Sequence, residues 1–223
     1  MIYFVQRGIL TWQGMPLTPL TGILAAVIGY LLGSVSFAII IAKRYEKMDI
    51  RQYGSGNAGA SNITRTVGLK AGAFTAVGDI AKGIAAGVIG WTLAGPVGAI
   101  LGGGASFLGH CFPLYFGFKG GKGVATAGGA IFTVDWRCAI LFLCCWLGIC
   151  LTFRMMGLGA ALGGWSYPLG AYIWDRGWTV FMVYCVIVAL FLVYNHRSNI
   201  ARMLKGTEPR ATFKTHKNEE KYG

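Results

Sequence analysis

The chain has 223 residues, of which 55% are hydrophobic and 13% are charged, and its formal net charge is +12. This composition excludes an ordinary soluble domain, in which about 25% of the residues are charged. The positive charge does not indicate nucleic-acid binding, because the lysines and arginines separate long apolar runs instead of forming one basic face. We therefore predict an all-α, polytopic integral membrane protein.

The apolar runs predict about seven transmembrane helices, since one crossing of the hydrocarbon core needs about 20 apolar residues. The fourth run is short for a full crossing, and we expect it to be tilted or partly buried against its neighbours. Most cysteines lie within or beside these runs without metal-ligand spacing, so we interpret them as packing residues. The seven segments are 20–42, 71–94, 96–116, 124–134, 136–153, 158–174 and 178–194.

We expect these helices to form one domain at 19–210, preceded by an N-terminal extension at 1–18. No signal peptide is evident in the extension, because no small-residue cleavage site follows an apolar core. Met15 is an alternative start. A flexible cytoplasmic tail is predicted at 211–223, where charged residues predominate.

The stretch between the first two apolar runs, GSGNAGASNITRTVG at 54–68, is polar and rich in glycine, and we call it the first glycine loop. Its glycines let the backbone approach a ligand closely, so that N–H groups can point at an anion. Ser55, Asn57 and Asn62 add neutral hydrogen-bonding groups, and Arg65 can bind a phosphate through two parallel hydrogen bonds. We interpret the loop as half of a phosphate site; a flexible connector is the alternative.

An ionisable pair lies inside the second apolar run, where Asp79 and Lys82 are one helical turn apart. Ionisable residues within a membrane helix are costly, and they tend to pair, to face a polar interior or to take part in function. We predict a structural ion pair that supports the first glycine loop.

A second polar stretch, GHCFPLYFGFKGGKGVAT at 109–126, follows the third run, and we call its part 117–123 the second glycine loop. It places the ammonium groups of Lys119 and Lys122 beside a backbone that a ligand can approach. The loop resembles a nucleotide-binding P-loop only superficially, because a glycine follows Lys122 and no strand precedes it. We expect Gly121, Lys122 and the start of the next helix to bind a phosphate or carboxylate group.

The histidines give a third candidate region. His196 and Asn199 lie three residues apart, on one side of a predicted helical turn, and Arg202 follows after three more. These side chains can reach one pocket; the alternative is a surface helix whose basic residues contact anionic lipid headgroups. His110 is interpreted as a hydrogen-bonded residue at a helix end at least as well as a site residue. We interpret Glu208 as an ion-pair partner rather than as a catalytic base.

The basic residues predict the topology. Of the 20 lysines and arginines, 16 lie on one side of the predicted helices and three on the other, with Lys82 inside a helix. The positive-inside rule places the larger group, with both glycine loops and the tail, in the cytoplasm. The larger group lies in 43–70, 117–122, at Arg154 and in 197–223, and the smaller group is Arg7, Arg137 and Arg176.

The predicted site is basic and neutral-polar. The sequence shows no carboxylate pair, no metal-ligand cluster and no acid five residues after His110 or His196. We expect no metal and no cofactor. An enzyme with such a site needs a substrate that is already activated, since no strong base is evident.

Three strings together resemble the bacterial acyl-phosphate:glycerol-3-phosphate acyltransferase family (PlsY), over about 20–210. They are the first glycine loop, the stretch 109–126 and NHRSNIARMLKGTEP at 195–209, with DIAKG and YLLGSVSFA also in place. The chain departs from the family pattern at Ser36, where proline is usual, and at Ser61, where threonine is common. The resemblance implies transfer of a fatty acyl group from acyl phosphate to the 1-hydroxyl of glycerol 3-phosphate, in phospholipid biosynthesis.

The resemblance also implies roles for individual residues. It implies Ser55, Lys122 and His196 as catalytic residues that act on glycerol 3-phosphate and its hydroxyl. The substrate-binding residues that it implies are Asn57, Asn62, Arg65, Gly120, Gly121 and Asn199, with Asn57 and the two glycines near the acyl phosphate. Its implied partners are glycerol 3-phosphate, acyl phosphate and membrane lipid. We expect no nucleic-acid partner and a monomer that spans the bacterial inner membrane, with its active site on the cytoplasmic side.

Two functions of other classes remain as alternatives. A transporter of organic phosphates or other anions would also need basic pockets and glycine-broken helices, although its site should lie near the bilayer midplane and open to both sides. A lipid-binding scaffold without chemistry is the other. For the enzyme we expect no covalent acyl-enzyme, with a substrate phosphate oxygen accepting the hydroxyl proton.

Overall fold

The computed structural model describes residues 15–210, and within them it contains ten α-helices and two short 3-10 turns. The expected tail at 211–223 and most of the expected extension at 1–18 lie outside the described residues. All six cysteines are free. The helices are α1 (Pro19–Gly33), α2 (Phe37–Glu46), α3 (Ala60–Thr66), α4 (Leu69–Cys111), α5 (Val124–Val134), α6 (Trp136–Phe153), α7 (Met156–Gly163), α8 (Ser166–Trp174), α9 (Thr179–Asn195) and α10 (Arg197–Leu204).

The first predicted helix, 20–42, is broken into α1 and α2. The Ser34 hydroxyl donates to the Tyr30 carbonyl at 2.8 Å, and the Ser36 hydroxyl accepts from the N–H of Ile39 at 3.5 Å, as the N-cap of α2. Serine side chains compete with the helical backbone in this way, which favours a helix boundary. The break therefore lies at Ser34 and Ser36.

The hairpin formed by α4 is the centre of the fold. Its helical backbone is interrupted at Ala94 and at Gly95, whose φ is 61°, so the predicted segments 71–94 and 96–116 are two arms of one element. The arms touch through glycine: a Cβ added to Gly90 would lie 2.1 Å from the carbonyl oxygen of Gly98. Small residues permit such close helix packing, as the glycine content predicted.

Both neighbours of the hairpin pack through glycine as well. A Cβ at Gly29 of α1 would lie 2.1 Å from the Gly102 carbonyl oxygen in the second arm. A Cβ at Gly83 in the first arm would lie 2.3 Å from the Thr126 carbonyl oxygen of α5. One hydrophobic core lies among α4, α5, α6, α8 and α9 and combines aromatic with aliphatic residues; in it Phe142 stacks on Tyr167 with the ring centroids 4.7 Å apart. A smaller core surrounds α2 and α3.

Within the described residues, three elements are long and apolar enough to cross a membrane: Pro19–Glu46, Leu69–Phe116 and Trp136–Phe153. A fourth is obtained when α9 and α10, which meet at 53°, are counted as one broken span. This count does not confirm the predicted seven spans, because several predicted segments are short or merged in the structure. The segment 124–134 is a short helix, as expected, and 158–174 is divided between α7 and α8.

Candidate active site

The three polar regions of the sequence meet at one end of the bundle and enclose a cavity of about 350 Å³. The first glycine loop contributes one wall, the second glycine loop another, and the junction of α9 and α10 the third. Among the lining side chains that belong to residues 15–210, three are cationic and none is acidic. The lining residues are Ser55, Gly56, Asn57, Cys111, Phe112, Gly121, Lys122, Tyr194, Asn195, Arg197, Ser198 and Arg202.

Asn62 folds the first glycine loop from within. Its Oδ1 accepts from the N–H of Ser55 at 2.9 Å, and its Nδ2 donates to the carbonyl oxygens of Tyr53 at 2.9 Å and Ile50 at 3.3 Å. Asn62 is buried and lies outside the cavity lining. Asn62 is therefore placed to support the loop and not to contact a substrate. The loop is also less irregular than expected, because α3 occupies 60–66.

Gly54 shows why the loop begins with glycine. Its φ is 60°, in the left-handed region that L side chains rarely adopt, and an added Cβ would lie 2.3 Å from Asn62 Oδ1. The turn therefore brings the next residue, Ser55, to the cavity with its N–H already used. The side chain of Ser55 is the group that remains for a ligand.

Arg51 joins the two glycine-rich segments, a contact that sequence reasoning missed. Its guanidinium donates to the carbonyl oxygens of Phe116 at 2.6 Å and Lys119 at 3.4 Å. Asp49 orients it through a 2.7 Å ion pair, and the hydrogen bond from Arg51 holds the pKa of the Asp49 carboxyl below its usual value. The first wall of the cavity is thus fixed to the second.

Lys122 is the central cation of the cavity. Its Nζ donates to Asn199 Oδ1. Burial, and after it the positive charge of Arg202, lowers the pKa of Lys122 to about 8, while Glu208 opposes the shift. The ammonium group is therefore held in an environment where an added negative charge would be strongly stabilising.

The backbone N–H groups of the second glycine loop are used inside the protein. Gly120 donates to the Cys111 carbonyl at 3.2 Å, and Gly121 donates to the His110 carbonyl at 3.1 Å. Gly121 lines the cavity, but Gly120 and the first turn of α5 do not. The expected anion site at the start of α5 is thus not part of this cavity, and Lys122 carries the charge there.

Asn199 is oriented by Glu208, whose Oε1 accepts from its Nδ2 at 2.5 Å. The other carboxylate oxygen pairs with Arg202 Nε at 2.8 Å, so the ion pair expected of Glu208 is confirmed. Because the amide nitrogen is held by Glu208, the amide oxygen of Asn199 faces Lys122. The carboxylate thus orders two of the polar groups without entering the lining.

His196 lies between α9 and α10 and is buried beside the cavity. Its Nδ1 lies 2.7 Å from the Leu192 carbonyl oxygen, and since a carbonyl can only accept, Nδ1 carries the hydrogen and Nε2 keeps its lone pair. Burial and then the charge of Lys122 lower the pKa of His196 to about 4. The imidazole is therefore neutral at physiological pH.

Arg65 is the predicted cation that the structure places outside the lining. It lies exposed on α3, although its charge is among those that lower the pKa of Lys122. Arg202 was predicted to reach the same pocket as His196, and it lines the cavity. Tyr194, Asn195 and Ser198 also line the cavity but were not predicted, and their only signal in the sequence is their closeness to His196 along a helical turn.

Fold and site together define a class: an all-α integral membrane protein with a basic, partly enclosed pocket at one end of its helix bundle. A sequence model of the family described as "Glycerol-3-phosphate acyltransferase" matches residues 23–206. The chain belongs to the glycerol-3-phosphate acyltransferase family.

Individual relatives and solved structures support this family assignment. The chain is 39% identical to the glycerol-3-phosphate acyltransferase of Dinoroseobacter shibae over 87% of its own length and 96% of the relative's. It is 38% identical to that of Thermoanaerobacter pseudethanolicus, over 86% and 97% of the two chains. A crystal structure of the integral membrane glycerol 3-phosphate acyltransferase PlsY, in its glycerol 3-phosphate form, superposes with a TM-score of 0.80 at 37% identity, covering 86% of this chain and 96% of that one. Its lysophosphatidic acid form gives a TM-score of 0.77 at 37% identity, with the same coverage.

Proposed function

We propose that this acyltransferase moves a fatty acyl group from acyl phosphate to the 1-hydroxyl of glycerol 3-phosphate, in the cytoplasmic leaflet of a bacterial inner membrane. The observation that carries the proposal is the cavity itself: within the described part of the chain, three cations line it and no carboxylate does. Both proposed substrates are phosphate monoanions or dianions, so such a pocket suits them.

In the proposed complex Lys122 binds the phosphate of glycerol 3-phosphate, with Arg202 and Arg197 contributing charge from the opposite wall. Ser55 orients the glycerol hydroxyls, and Asn199 holds the Lys122 ammonium from outside the lining. Asn57 and Gly121 lie on the wall that the acyl phosphate would contact. Arg65, Gly120 and Asn62 support these groups from outside the lining, and His196 adds a neutral acceptor nitrogen beside Lys122.

The reaction needs no metal-activated nucleophile. The 1-hydroxyl oxygen attacks the acyl carbonyl carbon, an ester C–O bond forms, and the C–O bond to the phosphate breaks. Inorganic phosphate leaves, and the hydroxyl proton passes to a phosphate oxygen. The cations hold the two substrates together and stabilise the developing negative charge. A trapped acyl-Ser55 adduct would contradict this single-step route.

The cytoplasmic location rests on charge. The connections at the cavity end of the bundle include the basic stretches 43–70, 117–122 and 197–210, whereas Arg137 and Arg176 lie at the other end. The positive-inside rule therefore favours a cytoplasmic cavity. This one-sided position also speaks against the transporter, whose site should be reachable from both sides.

The test is an assay of the purified protein in detergent with glycerol 3-phosphate and either palmitoyl phosphate or palmitoyl-CoA. Lysophosphatidate and inorganic phosphate are measured. We expect both products from palmitoyl phosphate and none from the thioester. Product from palmitoyl-CoA alone would reassign the donor. If no ester forms from either donor, uptake of glycerol 3-phosphate into vesicles that contain the reconstituted protein would support the transporter instead.

A further inference from the structure

A cluster of three ionisable side chains lies behind the cavity without lining it. Asp79 and Lys82 form the predicted ion pair at 2.8 Å, and His110 joins it: its Nδ1 is 3.0 Å from Lys82 Nζ and 3.3 Å from Asp79 Oδ1. All three side chains are at most 5% exposed. We call these residues the buried triad.

Burial of charged groups is costly even when they are paired, and well-packed apolar residues would be as stabilising. Helix packing alone therefore does not account for the buried triad. Its contacts give a more specific account, because each of its arms reaches a segment that has lost regular structure.

One arm reaches the break between α1 and α2. Lys82 Nζ donates to the Val35 carbonyl oxygen at 2.7 Å. In a continuous helix the N–H of Ile39 would donate to the Val35 carbonyl oxygen. Here it donates to the Ser36 hydroxyl instead, so the Val35 carbonyl oxygen can accept from the lysine. Lys82 thus ties the first span to the first arm of α4.

The other arm reaches the second glycine loop. The carbonyl oxygen of His110 accepts from the N–H of Gly121 at 3.1 Å. A Cβ added to Gly121 would lie 2.1 Å from His110 Nε2 and 2.6 Å from the Ala58 carbonyl oxygen. The backbone of Gly121 is therefore enclosed between the imidazole and the first glycine loop, and Lys122 follows directly.

We infer that His110 is a positioning residue for acyl transfer: its imidazole, held from behind by Asp79 and Lys82, fixes the backbone of Gly121 and so the point from which Lys122 enters the cavity. This inference rests on the proposed function, since it assigns Lys122 to the substrate phosphate. The triad acts through the loop and touches no substrate.

The test compares His110→Ala with a matched control, Asp135→Asn. Asp135 is equally buried and paired with a cation, but it lies at the far end of α5. We expect both variants to unfold at lower temperature than the wild type. Only His110→Ala should lose kcat/KM for glycerol 3-phosphate, by about 10- to 100-fold, because a small displacement of a binding group has effects of this size.

Two further readouts separate positioning from a loss of stability. The alkaline limb of the pH profile, which Lys122 sets, should move to higher pH in His110→Ala, because a loosened loop exposes the ammonium to water. His110→Gln should recover part of the lost kcat/KM, because a glutamine side chain, unlike that of alanine, can fill the space behind Gly121. Unchanged kcat/KM and an unmoved limb in folded His110→Ala would overturn the inference, as would equal losses in the control.

The proposed function can fail separately. If the wild type forms no ester from any donor, equilibrium binding of radiolabelled glycerol 3-phosphate replaces turnover as the readout. Weaker binding by folded His110→Ala than by Asp135→Asn would still support the positioning role, and equal binding would contradict it.

Discussion

Two buried charged clusters lie on either side of α5, and they use similar chemistry for different ends. The buried triad lies behind the second glycine loop, which precedes α5. The second cluster follows α5, where Arg137 pairs with Asp135 and lies 3.7 Å from Asp175. We call Asp135, Arg137 and Asp175 the far cluster.

The far cluster holds the start of α6 against the end of α8, away from the cavity. The Asp135 carboxylate accepts from the backbone N–H of Arg137 at 2.8 Å and caps the start of α6. The guanidinium also lies 5.3 Å from the ring centroid of Trp174, and it is 25% exposed. Cys138 Sγ and the two carboxylates lie within 4.8 Å of one another, but Arg137 already supplies the positive charge there.

The buried triad differs in what it connects. Its members come from both arms of α4, and they contact the α1–α2 break and the second glycine loop. The role of a buried charged cluster is therefore best inferred from the segments that it holds together. The far cluster stabilises a junction of two helix ends, whereas the buried triad lies beside a glycine loop and controls the position of a functional lysine.

The largest effect should come from the lysine that the triad positions. Lys122→Ala removes the cavity's central cation, and kcat/KM should fall at least roughly 100-fold, as with other charge-stabilising groups. Lys119→Ala, in the same loop but exposed, is the control and should stay near wild type. Near-normal turnover by folded Lys122→Ala would remove this residue from the site.

The next largest effect is expected from Gly121→Ala. The added methyl would meet His110 Nε2 and the Ala58 carbonyl oxygen, so the loop must move and kcat/KM should fall by about 10- to 100-fold. Gly148→Ala on α6 is the control, because an added Cβ there meets no atom within 4 Å. Steady-state kinetics at matched folded fraction make the comparison. Full activity in Gly121→Ala would show that the contact with the triad does not matter.

A smaller effect is expected from pH. Because the pKa of Lys122 is lowered to about 8, its ammonium is present below that pH and is lost above it. The substrate phosphate stays doubly charged, so kcat/KM for glycerol 3-phosphate should fall up to about tenfold per pH unit above pH 8. Bound phosphate stabilises the ammonium, and the limb in kcat should therefore lie at higher pH.

Lys122→Arg assigns that limb, because a guanidinium keeps its proton throughout this range. The variant should lose some activity but show a flat alkaline region. A limb that persists in Lys122→Arg would belong to another group.

The smallest effect on catalysis should come from the far cluster. Arg137→Met leaves the carboxylates of Asp135 and Asp175 without the guanidinium, which should lower the free energy of unfolding by about 2 kcal/mol, less than for a fully buried pair. The kcat/KM of the folded fraction should be unchanged. Thermal unfolding and kinetics in the same detergent test both statements, and a selective loss of kcat/KM would remove the contrast between the two clusters.

The sequence by itself determined the class of the protein and several residues of its cavity. Apolar runs of this length indicate membrane-spanning segments, and the prediction does not depend on how the helices pack. Residues such as Ser55 and Lys122 could be singled out because glycine-rich polar loops have no stabilising purpose between apolar helices. The ion pair of Asp79 and Lys82 followed from helical spacing alone.

Only the tertiary structure decided which polar groups face the cavity and which stand behind it. Asn57 and Asn62 look equivalent in the sequence, but hydrogen bonds to the Ile50 and Tyr53 carbonyls turn Asn62 inward. His110 meets Asp79 because the two arms of α4 fold back on each other, a contact between residues far apart in the chain. Such contacts depend on the angle and depth of packed helices, which local spacing does not encode.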